Sequence, residues 1–208
     1  YRMNYLDFRQ KMFELSCFNI NQIYSWQSSF DRNNLTRWCK KGLLIRLKQG
    51  YYTFPEYKKM PGFSYYFANR IYKPSYISLH TALSFYGIIP EAIVQITSVS
   101  SLKTAIFNNE FGEYSYKTIK KDLMFGYDLK QQSDNIFLKF AKPEKALLDL
   151  FYLYPFYNTV RELSELRLDE DYLRDELDVD KMKEFAAKFK NKAFEKRVKL
   201  FFETYDLW

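Results

Sequence analysis

The stretch FDRNNLTRWCKKGLLIRLKQGYYTF, Phe30 to Phe54, decides how the rest of the chain is read. Its first half has helical spacing. At about 100° per residue, Leu35, Trp38 and Cys39 share one face, while Asn33, Thr36, Arg37, Lys40 and Lys41 share the other. Asp31 is placed to cap this helix, with Phe30 before it and Leu35 a turn in, and Gly42 supplies a left-handed stop. The second half changes period: LLIRLK alternates as a strand, Lys48-Gln49-Gly50 turns, and YYTF resumes as a second strand.

The same start signal occurs one helix earlier. Asn19 caps with Gln22 three residues on, Phe18 and Ile23 can pack as a staple, and the polar turn Gln27-Ser28-Ser29 separates the two helices. Before them, Tyr5, Phe8, Met12 and Leu15 mark a short amphipathic helix. Three helices and a hairpin predict a winged helix-turn-helix filling residues 1–58.

Charge favours the same segment. Residues 1–60 hold eleven Lys/Arg against four Asp/Glu, whereas residues 61–208 hold twenty-one of each. An excess confined to the N-terminal part points to a polyanionic partner, double-stranded DNA foremost. A membrane surface would instead need a basic helix with a broad apolar face free to insert. Cys17 and Cys39 read as small buried residues of a reducing cytoplasm, too few for a disulfide framework or a zinc site. No apolar run is long enough for a membrane span and no signal peptide opens the chain, so a cytoplasmic protein is expected; Tyr1 in place of Met implies missing leading residues.

Pro61-Gly62 sets a boundary near residues 57–62, after which Phe63 to Tyr72 suits a connecting helix. PSYISLHTALSFYGIIPE then reads as an extended run and a helix capped by Ser78. Five short β-branched or aromatic runs make residues 93–140 a β-rich zone. A helix opens at Pro143, and the remainder to 206 is helical, with one long segment from Lys181 to Tyr205 carrying a Met182, Phe185, Phe189, Val198, Phe201 and Phe202 stripe. The expected fold is therefore α+β: a winged helix-turn-helix (1–58) followed by a mixed α/β domain with a helical tail (59–208).

PSYISLHTALSFYGIIPE (74–91), ITSVS (96–100), FGEYSY (111–116) and KPEKALLDLFYL (142–153) follow in this order behind DRNNLTRWCKKGLL and GYY. Together they resemble the AbiEi-type antitoxins of type IV abortive-infection toxin–antitoxin systems, over nearly the whole chain. The resemblance implies a repressor that binds inverted repeats in its own promoter. It also implies a C-terminal antitoxin domain that counters a nucleotidyltransferase toxin encoded in the same operon, without a stable complex.

For DNA contact, Asn33 and Arg37 suit base edges, Arg32, Thr36, Lys40 and Lys41 complete the face, and the lysines suit phosphates. Arg46, Lys48 and Gln49 ring the hairpin tip, where a minor groove or phosphates would lie; Asn21, Ser25 and Gln27 are further phosphate donors. The bland alternatives are a solvated helix face and a hairpin edge blunted by charge. Lys145 and Asp149 share a helix face, as an ion pair at a helix start or as a functional polar site of the C-terminal domain. His80 reads as a surface or capping residue, and the carboxylates at 162, 165 and 169–171 as solvated helix faces. No phosphate loop, metal-ligand spacing or nucleophile motif occurs, so no enzyme, cofactor or metal is expected. The rival reading is an interaction protein whose C-terminal domain binds a protein or nucleotide ligand.

Overall fold

The computed structural model describes residues 4–92, 94–133 and 136–207; Tyr1–Met3, Ile93, Asp134, Asn135 and Trp208, at the margins of the expected elements, lie outside the described residues. The chain is α+β with two sheets. Helix α1 (Tyr5–Met12) precedes strand β1 (Cys17–Asn19), helices α2 (Ile20–Trp26) and α3 (Asn33–Lys40), and the hairpin β2 (Ile45–Lys48) to β3 (Tyr51–Thr53).

Helix α2 uses its expected cap, whereas at α3 the cap position falls to Arg32, which makes no side-chain cap bond, and Asp31 stands one residue before it. Asn19 and Gln22 form a reciprocal capping box, at 3.0 and 2.9 Å. Asp31 Oδ1 accepts the Asn33 N–H at 2.9 Å, and a tight first turn follows. Helix α3 ends on Gly42 at φ +69°, where the Gly42 and Leu43 N–H groups reach the Cys39 and Trp38 carbonyls at 3.0 and 2.9 Å. The α1–α3 core is aromatic: Phe8 meets Trp38 at 4.7 Å and both Phe18 and Phe30 at 5.6 Å. The sequence reading has no strand at Cys17–Asn19. It exists because Tyr51–Thr53 arrives beside it, giving the sheet order β1-β3-β2.

The rest of the chain builds a six-stranded mixed sheet. Helix α4 (Phe63–Ile71) leads to β4 (Ser75–Ile77), α5 (Leu79–Phe85), β5 (Gln95–Ser100), β6 (Ala105–Asn109), β7 (Gly112–Thr118), β8 (Tyr127–Ser133) and β9 (Ile136–Ala141). The strand order is β6-β7-β5-β4-β9-β8, with β5–β7 and β4–β9 parallel. Helix α4 covers one face, where Tyr116 donates to the Ala68 carbonyl at 2.7 Å. Helices α5 and α6 (Pro143–Leu153) cover the other, with α7 (Val160–Glu165), α8 (Glu170–Asp175), α9 (Val179–Ala187) and α10 (Lys192–Thr204) following. The expected long helix from Lys181 to Tyr205 is two helices: Lys190 turns at φ +48° and Asn191 caps α10. No helix among the described residues is long and apolar enough to cross a membrane.

One buried polar network ties the second sheet to its helices. Asp149 Oδ2 accepts from Tyr76 Oη at 2.9 Å and Ser78 Oγ at 2.8 Å, and Lys145 Nζ bonds both Asp149 and Tyr76 Oη, the latter at 2.9 Å. Lys145 and Asp149 are wholly buried. Ser78 holds the cap position of α5, but its hydroxyl is spent on Asp149. Thr97 from β5 accepts the Thr81 N–H instead, at 3.1 Å. Directly after Ser78, Leu79 adopts φ +57°, a conformation costing a bulky residue about 1–2 kcal/mol. Gly126, at φ +71°, leaves room for the lysine stem; a Cβ there would lie 3.0 Å from Lys145 Cγ.

Burial holds the Lys145 ammonium below its ordinary range and the Asp149 carboxyl above its own, and each partner pulls the other back. Replacing Lys145 by Met should therefore cost about 3–5 kcal/mol, because it strands a buried carboxylate; Lys145→Met with Asp149→Leu should recover most of that loss. Urea denaturation of the two variants checks this, and equal stability of wild type and Lys145→Met would refute it.

Candidate nucleic-acid interface

Helix α3 seats Leu35 and Trp38 in the core and turns Arg32, Asn33, Thr36, Arg37, Lys40 and Lys41 outward, all of them exposed. None of these cations, nor Arg46, forms an ion pair among the described residues. Arg37 donates through Nη2 to Oδ1 of the buried Asn34. One donor of the guanidinium fork is thus anchored, and four remain for a ligand. The apolar seat and the Asn34 anchor together fix the direction of the arginine.

The hairpin divides its three expected contacts. Arg46, opposite Tyr52, and Gln49 at the tip are exposed. With Thr36, Cys39 and Lys40 of α3, Arg46 lines a groove of about 410 Å³. Lys48 does something else. Its Nζ donates to the Ile71 carbonyl at 3.0 Å and lies 4.9 Å from the centroids of both the Tyr72 and Phe107 rings. Burial lowers its pKa. The expected DNA contact at Lys48 is replaced by an internal one, because β2 packs beside β6 of the second sheet, where Asn109 also donates to the Leu47 carbonyl at 3.0 Å.

The same approach brings an acid that sequence reasoning missed. Glu110, in the β6–β7 turn, pairs with Lys58 and lines the α3–hairpin groove. Its only sequence signal is the Asn-Asn-Glu-Phe-Gly turn, which says nothing of a partner 52 residues away. On α2, Asn21 and Ser25 are exposed, although the Ser25 hydroxyl donates to the Asn21 carbonyl at 2.9 Å; Gln27 donates to Ser29 Oγ at 2.8 Å.

The other candidates are either internal or helix-capping residues. Lys145 and Asp149 do form a pair, yet a wholly buried one with Phe125 and Phe189 against the ammonium, at 5.0 and 5.2 Å. His80 is half-buried, 6.0 Å from Tyr154; burial lowers its pKa while Glu91 pulls the other way. Glu162 and Asp169 cap α7 and α8, respectively. Cys17 and Cys39 are free thiols, and burial pushes Cys17 up to about 12. Among the described residues no group of three or more His, Cys, Asp or Glu is arranged to hold a metal ion.

Compared with models of known protein families and with curated proteins, the chain matches none.

Lys48, in the seam, and Lys41, at the end of α3, should differ in what they do for stability. Lys48→Ala loses a charged hydrogen bond and ring contacts and should cost about 2 kcal/mol. Lys41→Ala, on an exposed helix end, should stay within about 0.5 kcal/mol of wild type. Chemical denaturation curves distinguish them, and equal effects would contradict the assignment of Lys48 to the seam.

Proposed function

We propose that the chain is a DNA-binding transcriptional autorepressor, with residues up to about 58 acting as a winged helix-turn-helix and the remainder as an antitoxin domain. The observation that carries this reading is the α3 face: five outward polar or cationic residues, Asn33, Thr36, Arg37, Lys40 and Lys41, without acidic partners and beside Arg46 of the hairpin. A helix of this kind fits the major groove, where Arg pairs with guanine O6/N7 and Asn with adenine N6/N7. Lys40 and Lys41, at the helix end, suit phosphates, which set register rather than sequence. Lys48 is no part of the proposed contact.

The antitoxin role rests on the AbiEi resemblance. Three of its sequence blocks supply the buried network: 74–91 gives Tyr76 and Ser78, 96–100 gives Thr97, and 142–153 gives Lys145 and Asp149. That network concerns how the second domain is held together and not its chemistry. Neutralisation of a nucleotidyltransferase encoded nearby is the activity to test. Co-expression should restore growth to cells carrying that toxin.

Fluorescence anisotropy with duplexes from upstream of the gene checks DNA binding. Arg37→Ala should lose about 1–3 kcal/mol of discrimination between operator and scrambled duplex, while Lys41→Ala weakens both alike and lowers the salt slope by about one. Unchanged affinity in both variants would overturn the assignment of α3 as the reading helix.

A further inference from the structure

A second group of cations converges where β4 and β9 separate. Arg70 ends α4, Lys73 lies in the turn to β4, and Lys139 belongs to β9; together they line an open cleft of about 490 Å³. Asn69 holds this gap at a fixed width. Its side-chain amide accepts the Lys139 N–H at 2.7 Å and donates to the Lys139 carbonyl at 3.3 Å, taking the place of a neighbouring strand. Tyr66 and Phe137 add aromatic walls, Phe137 being about half exposed (48%).

Among the described residues the charge here has no acidic partner. No acidic side chain lines the cleft, and none of the three cations has an ion-pair partner among the described residues. The α3–hairpin groove contains Glu110 and the groove between α9 and α10 contains Glu195. Burial first, and then the neighbouring Arg70, hold the Lys73 ammonium below its ordinary range. Like charges crowded in a concavity are relieved by a polyanion, and a guanidinium fork matches phosphate oxygens. The concave shape and the volume suit one small molecule, which a duplex backbone is not.

We propose that this cleft binds a nucleoside 5′-polyphosphate, its phosphates on Arg70, Lys73 and Lys139 and its base against Tyr66 or Phe137. The proposal stands independently of the DNA reading, since it uses no residue of α3 or the hairpin. Lys73 and Lys139 are exposed, so their substitution leaves the core intact, whereas Arg70 also meets the buried Cys17 and is a poorer probe.

Titration calorimetry on the full chain tests it, with the four ribonucleoside triphosphates, inorganic tripolyphosphate and a short duplex of unrelated sequence as probes. At least one triphosphate should bind with Kd of ~100 μM or tighter. Lys73→Gln with Lys139→Gln should weaken that binding by tenfold or more, while Lys196→Gln on α10 leaves it unchanged. Phe137→Ala with Tyr66→Leu should weaken the nucleotide and spare tripolyphosphate. Melting temperatures confirm that each variant is folded. The proposal is overturned if no triphosphate binds below ~1 mM, if the lysine variants bind as wild type does, or if the double lysine variant loses only duplex binding.

Discussion

A lysine drawn between aromatic rings gives up hydration at its ammonium, and it stays there only when a carbonyl and ring faces replace the lost water. Lys48 is in that position, bonded to Ile71 and flanked by Tyr72 and Phe107. It fastens the edge of the three-stranded sheet to the edge of the six-stranded one. Asn109 to Leu47 and Lys58 to Glu110 complete the seam. With the hairpin fixed in this way, the cationic face of α3 is presented on a rigid support, and the buried hydrophobic residues form one cluster from Phe8 to Leu207.

The second sheet has its own fixed point. Asp149 gathers Tyr76, Ser78 and Lys145 from β4, the start of α5 and α6, and this leaves the cap of α5 to Thr97. A buried pair of this kind adds little net stability over an apolar replacement, but it specifies which groups must meet, because any other arrangement strands a charge. Leu79, directly after Ser78, adopts a left-handed conformation. The geometry is enclosed by rings and helices, so the chemistry open to solvent lies elsewhere: on α3, in the groove beside it, and in the cleft of Arg70, Lys73 and Lys139.

Features set by neighbours in sequence were legible. The Asn19–Gln22 box, the Asp31 turn onto the Asn33 N–H, the Gly42 stop and the turn at Gly50 depend on residues a few positions apart, and the amphipathic period of α3 named its outward face. Features set by distant partners were not. Strand β1 is three residues long and is defined only by its pairing with β3. The apolar stripe from Met182 to Phe202 continues across the break at Lys190, so periodicity hid the turn that Asn191 signals. Lys145 and Asp149 were recognisable as a pair by spacing, but their complete burial depends on Phe125, Phe189 and Tyr76. The basic cleft has no signature in composition, because residues 61–208 are neutral in sum and a local excess is hidden in that balance.

The surface proposed to meet DNA is α3, held by an internally fastened hairpin. Amide chemical-shift mapping with isotope-labelled protein and a duplex from upstream of its gene tests this most directly. The account predicts the largest perturbations at Asn33 through Lys41 and at Arg46, with Lys48 and the Tyr72–Phe107 seam unmoved. Perturbations confined to the six-stranded sheet, or largest at Lys48, would contradict it.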